Sequence, residues 1–197
     1  MIDLKKIFLA AALTAGLTPL FAQEPWDPHL KITAGLMNNA EKSYLGQNKV
    51  YGIVLAGAYP LTIHGSGVVE GGFKVFPTTS TNYGLTVVDD QTDIYFAGLM
   101  YRHELWRNGI YLQAGVRGTM ANTVRDMIYK GAGENGGDTK EKIKGGRETK
   151  AGWCFGAGYR LTDLWIFEVS ASSVGFKNVS GITSTETIFE IALCIHR

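Results

Sequence analysis

Along this chain, stretches of about ten residues recur in which bulky apolar side chains alternate with small or polar ones, a period-two pattern that leaves few folds open. From Ala151 onward, Trp153, Phe155, Ala157 and Tyr159 share its phase, while Gly152, Cys154, Gly156, Gly158 and Arg160 hold the other. Phe189, Ile191, Leu193 and Ile195 alternate in the same way with Glu190, Ala192, Cys194 and His196. Ile110, Leu112, Ala114 and Val116 alternate with Tyr111, Gln113, Gly115 and Arg117. Tyr51, Ile53 and Leu55, and Trp165, Phe167 and Val169, set the bulky phase of two further stretches. A pleated strand sends the two phases to opposite faces. One stretch is ambiguous, because Tyr95, Leu99 and Tyr101 compete with Ile94, Phe96 and Met100.

The alternation predicts eight strands, over His29–Asn38, Lys49–Tyr59, His64–Phe76, Thr92–Arg102, Gly109–Thr119, Lys150–Arg160, Leu164–Gly175 and Thr185–His196. Their links alternate short and long. Pro60–Ile63, His103–Asn108 and Leu161–Asp163 are short; the others are longer, and the third of them runs from Met120 to Thr149. Short turns at one end and long loops at the other are the asymmetry of a transmembrane up-and-down antiparallel β-barrel, here all-β with about eight strands. Both chain ends then fall on the periplasmic side. Within the third long link, Met120, Asn122, Val124, Asp126 and Ile128 continue the alternation, which predicts a hairpin standing beyond the membrane. Arg125, Lys140, Lys142, Lys144 and Arg147 would face water on it. A second hairpin around Val88–Asp90 would raise the count to ten.

The bulky phase belongs in lipid and the charged phase inside, because an isolated charge in hydrocarbon costs several kcal/mol. Trp26, Tyr59, Trp106, Tyr111, Tyr159 and Trp165 near one set of strand ends, and Tyr51 and Trp153 near the other, would form the aromatic girdles. Lys31, Lys74, Arg117 and Arg160 with Glu70, Glu168 and Glu190 form the inward charge network. An eight-stranded barrel is just wide enough for side chains to fill it, so these charges should pair across a packed interior. Gly52, Ala56, Gly72, Gly115, Gly152 and Gly156 make room for them. The network is expected to act as a structural plug; the alternative is a narrow gated ion path. A soluble lipocalin-type barrel would require the faces to be reversed.

The remaining features bound the class. Met1–Lys6 carries Lys5 and Lys6, and Ile7–Ala22 is apolar but broken by Thr14, Gly16, Thr18 and Pro19. That is a signal peptide over residues 1–22, cleaved after Ala22, leaving 23–197 as the barrel. No Cys follows it, which argues against a lipid anchor. No later segment is apolar for the about 18 residues that a membrane helix needs. The whole chain holds 19 Lys and Arg against 18 Asp and Glu, so removing Lys5, Lys6 and Asp3 leaves the two signs equal. Nothing there points to nucleic acid. Cys154 and Cys194 lack metal-ligand spacing and are read as two buried thiols on non-neighbouring strands.

With its signal peptide, its alternating segments such as Trp153–Tyr159 and Phe189–Ile195, its rhythm of links and its inward charges, the chain resembles the small outer-membrane barrel family. That family contains the OmpA transmembrane domain and OmpX. The resemblance covers the mature chain as a pattern and implies a bacterial outer-membrane location, insertion by the barrel-assembly machinery with periplasmic chaperones, and contact with outer-membrane lipids and lipopolysaccharide. A monomer is expected. Such barrels usually end in an aromatic residue, whereas this chain ends Ile195, His196, Arg197.

Chemistry is sparse. His64 and Ser66 with Glu70 on the same phase resemble the constellation of barrel lipases that deacylate lipid A, but they follow a periplasmic turn, remote from the outer leaflet. No catalytic residue, metal site or cofactor is therefore expected. His29, His103 and His196 read as interfacial or strand-end residues, and Asn178–Ser180 matches a glycosylation triplet that means little in a bacterium. The expected function is structural or surface recognition, through loops held on a rigid scaffold.

Overall fold

The computed structural model describes residues 26–38, 49–105, 109–133, 136–177 and 181–196. Among them run β1 (Asp27–Asn38), β2 (Lys49–Thr62), β3 (Gly65–Tyr83), β4 (Thr86–Glu104), β5 (Ile110–Tyr129), β6 (Thr139–Arg160), β7 (Trp165–Lys177) and β8 (Thr183–His196). Each strand pairs antiparallel with the next and β1 pairs with β8, so the sheet closes on itself. No helix of the described residues is long and apolar enough to span a membrane. The signal-peptide segment, Trp106, Asn178–Ser180 and the side chains of Lys144 and His196 lie outside the described residues.

Eight strands stand, not ten. The second hairpin is the outer end of β3 and β4, where Thr79 pairs with Asp90 and Tyr83 with Thr86. Gly84 closes it at φ 75°, the left-handed conformation that two-residue hairpin turns favour. The register shifts between Phe76 and Thr79, around Pro77, which has no N–H to give to a ladder. The third long link is likewise strand, since β5 and β6 remain paired out to Tyr129 and Thr139. A four-stranded wall, β3 to β6, therefore stands higher than the rest of the barrel.

At the other end the links are tight. Thr62 pairs with Gly65, and after β6 the Thr162 hydroxyl accepts hydrogen bonds from the amides of Leu164 (3.2 Å) and Trp165 (3.0 Å). Asp27 pairs with Ala58, and His29 with His196, so the first strand begins and the last strand ends at this short-turn end.

The two phases lie where the alternation puts them. Leu112, Val116, Phe155, Phe167, Phe189 and Ile191 are exposed on the outside, while Arg117, Gln113, Cys154, Glu168 and Glu190 are buried inside. β4 resolves with Tyr95, Leu99 and Tyr101 outward and Ile94, Phe96 and Met100 inward. Trp26 packs on Tyr59 at 5.4 Å, and Trp153 stacks on Phe155 at 5.2 Å. Tyr111 departs from the expected girdle: it is buried in the lumen, because it lies on the inward phase of β5. Both thiols are free and buried.

The inward glycines give up their side chains to bulky neighbours. A Cβ on Gly158 would fall within the Tyr111 ring, so Gly158→Ala must displace that ring. Overpacking of this kind costs about 1–3 kcal/mol, a loss to be read from the urea midpoint of the folded barrel.

One seam departs from regular pairing. β6 pairs with β7 only from Cys154 to Arg160. Beyond Cys154, β6 leaves the ladder and lies across the outer face of β7. The Trp153 amide donates to Ser173 Oγ (3.0 Å), and a Cβ on Gly175 would meet the Lys150 side chain at 2.9 Å. Ala171, Ser173 and Gly175 are therefore buried although they hold the outward phase. Small residues there let one strand rest directly on another.

Candidate functional site

The lumen is built in layers. Every second residue of each strand points inward, so six strands deliver charge to the interior, where it runs from the level of Ser66 to that of Lys74 and is buried. Arg102, Glu168, Lys31, Glu70, Arg117, Glu190 and Lys74 form one chain of alternating sign across the interior. Along it, Arg102 lies 3.4 Å from Glu168, which receives Lys31 at 2.7 Å. Lys31 lies 3.7 Å from Glu70, which takes two hydrogen bonds from Arg117, one of them at 2.9 Å. Arg117 is 3.9 Å from Glu190, which binds Lys74 at 2.5 Å. Arg117 also donates to Ser172 Oγ at 3.0 Å.

Both ends of this chain are cations resting on aromatic rings. Arg102 lies 4.2 Å from the Tyr111 ring centre, and Lys74 lies 4.8 Å from that of Phe96, which Arg117 also covers at 4.3 Å. Ring faces are electronegative, so these contacts add attraction at the two ends of the chain of charges. The Tyr111 hydroxyl donates to Glu168 as well.

Of the expected network, Lys31, Glu70, Lys74, Arg117, Glu168 and Glu190 come together. Arg160 does not: it holds the inward phase but stands at the end of β6, where it is exposed at the rim. Arg102, Tyr111, Gln113 and His29 belong to the interior and were not expected in the network. Arg102 was hidden by the ambiguous phase of β4, although it shares the alternation of Phe96 and Met100. His29 is buried beside Arg102 (3.3 Å) rather than interfacial, because it shares the inward phase of Lys31 on β1. His103 is exposed and stacks on Tyr101.

The lipase-like constellation is not assembled. His64 sits exposed in the turn before β3, while Glu70 is buried and held by Arg117 and Lys31. No group of three or more His, Cys, Asp or Glu suited to a metal ion is present among the described residues.

Above the charges, at the long-loop end, lies a dry layer of Met37, Val50, Phe76, Ile94, Ala121, Val174, Phe176 and Ile188. Phe76 and Phe176 meet edge to face at 5.9 Å. Higher still, Arg125 is half-buried and bound to both oxygens of Asp90 (2.7 and 2.9 Å), not free in water as the sequence suggested. Those hydrogen bonds raise the Arg125 pKa above its ordinary value. Lys140, bound to Asp126 at 2.9 Å, is raised in the same way, first by its hydrogen bond.

A closed eight-stranded barrel with an apolar exterior, a charge-filled interior and one tall wall has the fold of the small outer-membrane barrels. Solved structures bear this out. The chain is similar to Ail, the attachment invasion locus protein of Yersinia pestis in complex with the heparin analogue sucrose octasulfate, at 6% identity and a TM-score of 0.56 over 87% of this chain and 96% of that one. It is also similar to Neisserial surface protein A, at 13% identity and a TM-score of 0.51 over 87% and 95%. No protein-family model matches the chain, and no curated protein does. At these identities the likeness is one of fold.

Proposed function

We propose that residues 1–22 export this chain and that residues 23–197 insert in a bacterial outer membrane as a monomeric, non-enzymatic barrel for surface recognition. The single observation that carries this reading is the pairing of a filled lumen with a wall that outgrows it. Charges and the Phe76–Phe176 layer occupy the interior, whereas β3 to β6 continue past that layer as a sheet with ordered, paired strands. A scaffold that blocks its own pore while extending its outer rim is suited to holding a surface, and binding residues concentrate on such rims. Ail is an attachment protein by its name and was captured with a polyanion, and the Neisserial protein is a surface protein by its name, which supports the same reading here. The apolar exterior would contact outer-membrane lipid and lipopolysaccharide, and insertion would require periplasmic chaperones and the barrel-assembly machinery.

The second reading, a narrow gated channel, draws on four buried polar atoms. Thr33 Oγ1, Arg102 Nε, Gln113 Oε1 and Glu190 Oε1 lack a hydrogen-bond partner among the described residues. Such atoms are where water enters a packed interior. The dry layer above them favours the plug.

Cell fractionation with protease added to intact cells tests the proposal. The chain is expected in the detergent-extracted outer-membrane fraction, cut between Lys130 and Asp138 and protected elsewhere in its strands. Release from the periplasm without detergent would sink it.

A further inference from the structure

We propose that the inward face of the tall wall binds a neutral hexose glycan arriving from outside the cell, with Tyr83 and Tyr129 as its stacking platforms. The inference rests on the surface-recognition reading above and deepens it by naming the chemistry of the ligand.

Strand register builds the platform. Tyr83 of β3 pairs with Thr86 of β4, and Thr86 with Tyr129 of β5, so the two tyrosines share one row and stand two strands, or about 10 Å, apart. Because β4 and β5 keep their register from the lumen to their tips, this row continues the inward phase of Arg117 and Ala121. One row lower come Thr81, Val88, Met127 and Glu141, and below them Asp90, Arg125 and Ile143. Both rings lean along the sheet. The Tyr129 hydroxyl reaches Met127 Sδ and Glu141 Oε2, each at 3.3 Å. Tyr83 comes close enough to Arg125 to act on its charge, across Val88, which lies between them on the same face and is 9% exposed. Tyr83 itself is 70% exposed, so its ring is open to a ligand.

What surrounds the rings selects the occupant. A protein partner draws its binding energy from apolar anchors buried in dry pockets, and here the apolar ground is already covered by the rings. A pyranose sugar gains more: the C–H groups on one of its faces carry partial positive charge and pack on an electronegative ring face. The spacing of the two tyrosines matches the disaccharide repeat of an extended hexose chain, so both stack at once, with Thr81, Thr86 and Glu141 beside them as partners for sugar hydroxyls. Charge narrows the choice further. Arg125 is bound to both oxygens of Asp90 and Glu141 is exposed, so the described side chains of this face carry a net negative charge, which repels a sulfated glycan. Lys140 and Lys142 pair with Ile128 and Asp126 and hold the opposite face, the side on which the sugars of neighbouring lipids would stand. The inward face instead overlooks the mouth of the barrel, and a ligand reaches it from outside.

The test titrates the mature chain, folded in detergent micelles, with the neutral tetrasaccharides lacto-N-tetraose, cellotetraose and maltotetraose, reading binding by calorimetry. At least one is expected to bind. Tyr83→Ala and Tyr129→Ala should each weaken it about tenfold, and Tyr83→Phe, which keeps the ring, by less than about twofold. Lys140→Gln with Lys142→Gln, on the opposite face, should leave the affinity unchanged. Gel mobility before and after boiling confirms that each variant is a folded barrel; should Tyr129→Ala fail to fold, Tyr83→Ala carries the test. The proposal is overturned if none of the tetrasaccharides binds, or if the alanine variants bind as tightly as the wild type. A sulfated heparin tetrasaccharide, or the bacterium's own lipopolysaccharide glycan, binding as tightly as the neutral probes would overturn it too. Failure of the surface reading would show in cell fractionation and protease cleavage, and failure of this site in the titration.

Discussion

Replacing Glu168 by alanine is expected to cost the folded barrel about 3–5 kcal/mol, because removing one partner of a buried ion pair leaves the other uncompensated. Glu168 stands out among the carboxylates since it serves Lys31, Arg102, Tyr111 and Gln113 together. Without it, Arg102 retains the Tyr111 ring face but no carboxylate, and Lys31 falls back on Glu70 at 3.7 Å. Glu168→Gln should lose nearly as much, since an amide restores shape and one acceptor but no charge. A double replacement, Lys31→Met with Glu168→Leu, should cost less than the two single losses added, because it removes both charges from a site where desolvation opposes them. Urea unfolding in lipid vesicles gives these values. A Glu168→Ala barrel as resistant to urea as the wild type would show that the alternating chain of charges is not what fills the lumen.

The second large effect concerns the dry layer. Phe76 and Phe176 are 3% and 5% exposed and pack edge to face between the charges and the long-loop end. Truncating a buried Phe to Ala costs about 3–5 kcal/mol, part of it for the cavity left behind. Here the cavity also breaches the only apolar layer that the described residues place above the charged interior. Phe76→Ala with Phe176→Ala should therefore turn a silent barrel into one that shows discrete openings in planar bilayers. Ions would then reach Glu190 and Lys74, so exchanging the sign of that pair should alter the ion selectivity of the openings. Frequent, well-defined openings in the wild-type protein would overturn the plug and favour the gated channel.

Much of this architecture was legible because its rule is local. The period-two alternation assigns each residue to a face without reference to any partner, so the apolar outer side of β5, β6 and β8 and the inward positions of Lys31, Glu70, Glu168 and Glu190 could be read directly. Strand lengths were underestimated where the outer ends become polar on both faces, as in Thr79–Tyr83 and Thr139–Gly146, since alternation vanishes once both phases are polar. Arg160 was misplaced for a related reason: phase tells inside from outside but not depth, and depth decides whether an inward charge is buried or stands at the rim. The His64, Ser66 and Glu70 set failed on the same ground. The six residues from His64 to Glu70 span about 20 Å of strand, enough to separate an exposed turn from the middle of the lumen.

What the amino-acid order determined by itself is the barrel and its two faces, because a pleated backbone converts neighbour-to-neighbour pattern into geometry. Only the closed tertiary structure decided who meets whom. Lys31 finds Glu168 across 137 positions of chain, and the Phe96 ring on β4 meets Lys74 of β3 and Arg117 of β5. Ala171, Ser173 and Gly175 lie beneath β6 because the ladder ends at Cys154. Such contacts depend on the stagger of strands around a closed sheet, a property of the whole ring that no single strand carries.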